Sequence, residues 1–114
     1  MIAVIFELEA NAGSEAAYFD LAAQLKPLLE GIDGFISVER FQSLSRPGRY
    51  LSLSFWRDED AVRAWRNQEA HRVAQQAGRS DIFADYRLRV ATVLRDYGLR
   101  NRNGVPSDSL QALT

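Results

Sequence analysis

From Phe35 to Trp56 the side chains alternate with a period of two on both sides of one short turn, Ser45-Arg46-Pro47-Gly48. Period two marks a strand, because successive side chains point to opposite faces. Proline and glycine suit the turn, and two strands this close in sequence pair as a hairpin. On the first strand, Phe35 to Ser43, one face carries Phe35, Ser37, Glu39, Phe41 and Ser43. The other carries Ile36, Val38, Arg40 and Gln42. On the second, Tyr50 to Trp56, Leu51, Leu53 and Phe55 oppose Tyr50, Ser52, Ser54 and Trp56. Both faces hold large apolar residues, so both need cover.

The flanking segments repeat one pattern. Ile2 to Glu9 is an apolar run ending in alternation, which predicts a strand. Asn11-Ala12-Gly13-Ser14 reads as a turn, with Ser14 as helix N-cap and Glu15 in the first helical turn. Tyr18, Leu21, Ala22, Leu25, Leu28 and Leu29 follow helical spacing. Pro27 is expected to kink or loosen the last turn, and Gly31 and Gly34 bracket the exit. Asp58 is placed to cap a second helix with the stripe Ala61, Val62 and Trp65. That helix is expected to falter near Asn67-Gln68, resume through Val73 and Ala77, and end at Gly78. Phe83 to Arg95 predicts a long fourth strand. Tyr86, Leu88, Val90 and Leu94 lie on one face and Arg87, Arg89, Ala91, Val93 and Arg95 on the other.

The order β-α-β-β-α-β predicts a ferredoxin-like α+β protomer with a four-stranded antiparallel sheet and both helices on one face. The apolar residues left on the opposite face predict a second sheet against them, hence a homodimer. Residues 1–97 form the expected domain. Residues 98–114 form a polar tail, in which Leu99, Val105, Leu110 and Leu113 are spaced to dock on the partner protomer.

Composition narrows the chemistry. The chain has 114 residues, no Cys and a single His. Thiolate metal sites, iron–sulfur clusters and a Cys nucleophile are thereby excluded, and a protomer lacks the histidines for a multi-His zinc or iron site. Net charge is -1, so no global field attracts nucleic acid or a membrane. Residues 1–39 carry seven acids and only Lys26 as base, whereas residues 40–114 carry eight acids and thirteen Arg. The two halves are complementary within one fold or across a dimer. No stretch approaches the roughly 20 apolar residues of a membrane span, and a cytoplasmic protein is expected.

Four segments carry a family resemblance: Gly34-Phe35-Ile36-Ser37-Val38-Glu39-Arg40-Phe41; Phe55-Trp56-Arg57-Asp58-Glu59-Asp60-Ala61 leading to Trp65-Arg66; Glu69-Ala70-His71-Arg72 with Gly78-Arg79; and Tyr86-Arg87-Leu88-Arg89-Val90-Ala91. Over roughly residues 1–97 the chain resembles the antibiotic biosynthesis monooxygenase (ABM) family of dimeric α+β barrels. The resemblance implies a pocket between sheet and helices. Some family members are quinol or polyketide-aromatic monooxygenases that use dioxygen without metal or flavin; others degrade haem. The haem branch uses an Asn on the first strand, a Trp on the second helix and an axial His ten residues further on. Trp65 matches that Trp, but Gln75 stands at the His position and Phe6 or Glu7 at the Asn position. Gln is a poor iron ligand.

The resulting expectation is a cofactor-independent monooxygenase of an aromatic or quinol-like small molecule, with no metal. The alternative is a non-catalytic dimeric ligand-binding or stress-related module, and haem degradation ranks third. His71 is the candidate general base, since an imidazole titrates near neutral pH. Position 71 lies roughly 120° round an ideal helix from Trp65, and a kink near Asn67 would re-aim it. Trp65 and Trp56 are candidate walls, with core packing as the other reading of each. Arg40 is the candidate holder of a developing oxyanion. Glu7 either orients substrate or pairs with a neighbouring Arg such as Arg40 or Arg87. Tyr86 is a further candidate contact.

Overall fold

β1 (Ile2–Ala10) is a central strand, paired on both edges. The computed structural model describes residues 1–75 and 82–112, with side chains described for 1–69 and 82–110. After β1 come α1 (Glu15–Glu30), β2 (Phe35–Gln42), β3 (Arg49–Trp56), α2 (Glu59–Gln75), β4 (Phe83–Thr92) and a short α3 (Ser107–Ala112). The sheet order is β2-β3-β1-β4, with every pairing antiparallel. This is the ferredoxin-like α+β arrangement.

Register assigns the faces. Val4 stands opposite Ser54 and Val90, and Phe6 opposite Ser52 and Leu88. The even-numbered residues of β1, β3 and β4 therefore face the helices, and a register shift at Glu9/Ala10 adds Phe83 to that face. β2 departs from simple alternation. Phe35 pairs with Trp56 while Ser37 pairs with Phe55, so Ile36 is an extra residue in a bulge. The bulge moves Phe35 onto the helix face with Val38 and Arg40, away from the face that strict alternation gives it.

Two apolar clusters tie the helices to the sheet. One joins Ile2, Leu29, Trp56, Ala61 and Val62. The other joins Leu8, Tyr18, Leu21, Tyr50 and Ile82. The start of α2 is fixed by Asp58, whose Oδ1 accepts the Ala61 N–H at 2.9 Å. Ser14 makes no such side-chain bond. Instead Glu15 anchors the start of α1, its Oε2 accepting the Tyr50 hydroxyl at 2.7 Å. α1 runs through Pro27 and closes in tight i→i+3 bonds, Gly31 N–H to the Leu28 carbonyl and Ile32 N–H to that of Leu29, both 3.2 Å.

The boundaries differ from the periodicity in three places. α2 is unbroken from Glu59 to Gln75, with no interruption at Asn67-Gln68; its expected continuation to Gly78 lies outside the described residues. β4 ends at Thr92 rather than Arg95, because Thr92 pairs with Ile2 and β1 offers only the Met1 carbonyl beyond it, which takes the Val93 N–H at 3.0 Å. The tail contains α3 from Ser107, and Leu113 lies outside the described residues. No described helix is long and apolar enough to cross a membrane.

The outer sheet face carries Ile5, Leu51, Leu53 and Phe55, all half-buried, and the exposed Phe41. The radius of gyration, 16.9 Å, exceeds the roughly 13 Å of a compact domain this long. Leu94 and Leu99 are almost fully exposed.

Gly34 shows how tightly α1, β2 and α2 meet. Its φ is +95°, and an added Cβ would lie 2.8 Å from the Ala61 Cβ. Gly13 has a similar φ of +80° but open space around it. Gly13→Ala should cost about 1–2 kcal/mol of left-handed strain. Gly34→Ala should cost measurably more, because the clash with a buried helix is added. Urea denaturation of both variants checks this; equal midpoints would contradict it.

Candidate functional site

β3 presents Tyr50, Ser52, Ser54 and Trp56 to the helices, large side chains at the ends and small ones between. Tyr50 belongs to one apolar cluster and Trp56 to the other. Over the two serines, between the clusters, the interior is hollow. A cavity of about 270 Å³ lies there, floored by the sheet and walled by α1 and α2. Val4, Phe6, Val38, Leu88 and Val90 give it an apolar floor, and Leu21, Leu25, Leu29 and Trp65 give it apolar walls. Its polar groups are Tyr18, Lys26, Arg40, Ser52, Ser54, Arg66 and Glu69. An apolar enclosure with a few convergent polar groups is the general form of a small-molecule site.

The two tryptophans divide the work. Trp65 lines the cavity. Trp56 lies behind it, 1% exposed, with the rings 6.4 Å apart and inclined by 28°. The Trp56 indole N–H donates to Ser54 Oγ at 2.9 Å. Trp56 is thus the backing of the wall and does not line the cavity.

Arg40 reaches the cavity from β2. Its Nε donates to the Tyr18 hydroxyl at 3.2 Å, and its guanidinium lies 5.4 Å from the centre of the Tyr18 ring. Burial pushes the Tyr18 phenol above its ordinary pKa, against the pull of Arg40. Tyr18 therefore remains a neutral donor beside a fixed cation.

Glu7 is turned away. It sits on the outer face, where its carboxylate meets Arg49 at 2.9 Å and Arg89 at 3.2 Å. The Arg49 hydrogen bond, helped by Arg89, holds its carboxyl below the usual range. Its partners are these two rather than Arg40 or Arg87. Tyr86 is on the cavity side of β4 but outside the cavity wall, 61% exposed, against the rings of Phe6 and Phe83. The backbone of His71 belongs to α2; its side chain lies outside the described residues. Of the sequence candidates, Trp65 and Arg40 meet at the cavity, and Glu7, Tyr86 and Trp56 do not line it.

Glu69 was not among the candidates. It is half-buried in the cavity wall, one helical turn after Trp65. The i, i+4 spacing puts both on one helix face. Burial raises its pKa, partly offset by the neighbouring Trp65 indole N–H. The readable signal was an acid four residues after an inward-facing aromatic.

Among the described residues no group of three His, Cys, Asp or Glu is placed to hold a metal. Of the two positions that align with the first-strand Asn of the haem branch, Phe6 gives the cavity only a ring and Glu7 points to the opposite face. The side chains of His71 and Gln75 lie outside the described residues.

The raised pKa of Glu69 has a stability consequence. A carboxyl that holds its proton more tightly when folded contributes most stability when neutral, and that contribution falls as pH rises through the folded pKa. Glu69→Gln removes the ionisation. Thermal melts from acid to neutral pH should show wild type losing stability relative to the variant as pH rises. The opposite trend would mean that the fold stabilises the anion.

The fold and cavity define a class: small ferredoxin-like α+β proteins with a cavity between a sheet and two helices. Within that class the chain belongs to the antibiotic biosynthesis monooxygenase family, whose sequence pattern matches residues 1–77. It is 48% identical over 93 residues to the jasmonate monooxygenase ABM of Pyricularia oryzae. The match covers 82% of this chain, which spans only 43% of that relative's length. It is 32% identical over 93 residues to the uncharacterised protein YqjZ of Bacillus subtilis, covering 82% of this chain and 79% of YqjZ. Its fold is similar to that of a mutant of SnoaB, a cofactor-independent oxygenase from Streptomyces nogalater. The TM-score there is 0.69 at 15% identity, over 83% of this chain and 94% of that one.

Proposed function

We propose that this protein is a cofactor-independent monooxygenase acting on an aromatic or quinol-like small molecule in the cavity. The observation that carries the reading is the cavity itself: apolar and aromatic-walled, with Arg40, Tyr18 and Glu69 on its lining. Family membership and the named activities of the jasmonate and SnoaB relatives support oxygenation of a small molecule. Titratable groups facing the open cavity favour catalysis over passive ligand storage.

The chemistry asks little of the protein. A phenolic or quinol substrate loses a proton, and the anion gives an electron to dioxygen. For an activated CH₂ flanked by aromatic rings, one oxygen atom ends as the new carbonyl, and the other leaves as water with the two hydrogens. The site must hold the ring, exclude water, accept the proton and stabilise the anion. Trp65 offers a flat face. Arg40 offers a fixed positive charge, and the Tyr18 hydroxyl a neutral donor.

Dioxygen uptake against a panel of quinols and anthrone-like phenols, with EDTA present, tests this. Uptake above spontaneous oxidation is expected for at least one compound. Arg40→Met should lower that turnover by about 10²-fold, the usual loss for one oxyanion donor. A panel without EDTA-insensitive uptake would remove the reading.

The working unit in this proposal is a homodimer joined through the outer sheet face, with residues 98–114 docked on the partner. Light scattering should give about twice the 12.9 kDa chain mass. Leu53→Asp, on that face, should give a folded monomer, and ending the chain after Gly98 should weaken dimerisation. A wild-type monomer at micromolar concentration would refute it.

A further inference from the structure

We propose that Glu69 is the group that takes the proton from the ligand's hydroxyl. The inference rests on the reading of the cavity as the site of a phenolic or quinol-like ligand.

Among the described residues Glu69 is the one acid lining the cavity. The groups facing the same space are Tyr18 and Lys26 from α1, Arg66 from α2, Arg40 from β2, and Ser52 and Ser54 from β3. β1 and β4 contribute apolar side chains. Lysine and arginine carry their protons at neutral pH, and burial holds the Tyr18 phenol protonated. The serine hydroxyls are not bases. Among the described residues, that leaves the carboxylate as the acceptor within reach of a bound ligand.

Its placement suits the task. Glu69 lines the cavity on the same helix face as Trp65, and a carboxylate has about four lone-pair positions, enough to accept from a ligand. A ring laid against Trp65 brings its substituent to the next helical turn, where Glu69 is. Burial in apolar surroundings, not a cation partner, dominates the shift of this group. It therefore binds a proton more readily than a surface carboxylate does, which makes it a stronger base.

The step balances simply. The ligand's O–H bond breaks, and its electron pair stays on the ligand oxygen. The proton forms a new O–H bond with a Glu69 carboxylate oxygen. Glu69 becomes neutral and the ligand becomes an anion, facing Arg40, Lys26 and Arg66. No oxidant takes part until dioxygen meets that anion.

The test uses 4-nitrophenol, whose neutral and ionised forms absorb at different wavelengths, in solution acid enough to keep the free probe mostly neutral. Equilibrium dialysis measures binding, and the spectrum reports the bound form. Wild type should bind the probe as phenolate and release no proton to a weakly buffered solution, because Glu69 keeps it. Glu69→Gln lacks that acceptor, so each phenolate it binds should release one proton. Neutral phenol bound to wild type, one proton released per phenolate bound to wild type, or phenolate bound to Glu69→Gln without proton release would each overturn the assignment while leaving the cavity reading intact. Absence of probe binding to wild type would overturn both. Should Glu69→Gln not fold, the proton count on wild type carries the test.

Discussion

The hydrogen bond from the Trp56 indole to Ser54 within β3 organises the inner face of the sheet. It satisfies the polar atom of a nearly buried tryptophan and fixes the ring beneath α2. Phe35 packs on one side of that ring, with centroids 5.3 Å apart, and Trp65 stacks on the other. Truncating a buried tryptophan typically costs about 3–5 kcal/mol. Here the loss would spread further, because Trp65 would lose its backing and Ser54 its donor. The bond also holds Ser54 at the floor of the hollow.

The sheet separates two kinds of polar chemistry. On the outer face Glu7 and Glu9 meet Arg46, Arg49 and Arg89 in a connected set of ion pairs between 2.8 and 3.2 Å. Stabilisation from Glu7 is present above the ordinary carboxylate range and is lost as pH falls through its lowered pKa. These groups are partly exposed, so their net contribution is small. On the helix side Glu69, carried by α2, has no ion pair among the described residues, and burial moves its pKa the other way. A single step along β1, from Phe6 to Glu7, moves a side chain from the cavity to the ion pairs of the outer face.

Much of this was legible in the sequence, and the misses have physical causes. The element order follows from alternation and helical spacing, and the alternation of β3 correctly set Trp56 beside Tyr50 and away from Leu53. The bulge at Ile36 was not legible, because an extra residue leaves no mark on composition. The interruption expected at Asn67-Gln68 gave too much weight to mildly unfavourable residues; a long helix tolerates Asn at a cost of a few tenths of a kcal/mol. At the site, Trp65 and Arg40 both stand on the cavity lining. Glu69 was passed over because a carboxylate is ordinarily read as solvated surface, and only its fourfold offset from Trp65 spoke otherwise.

Lys26 is the chain's only lysine, and it stands on the cavity lining. An amine-directed fluorophore would therefore mark one place on the molecule outside the backbone terminus, at the edge of the hollow. A label there would sense an entering ligand directly, through quenching or exclusion of water, without a change to any other side chain. The chain thus carries a single-site reporter of its own occupancy, which suits screening of compounds before any reaction is known.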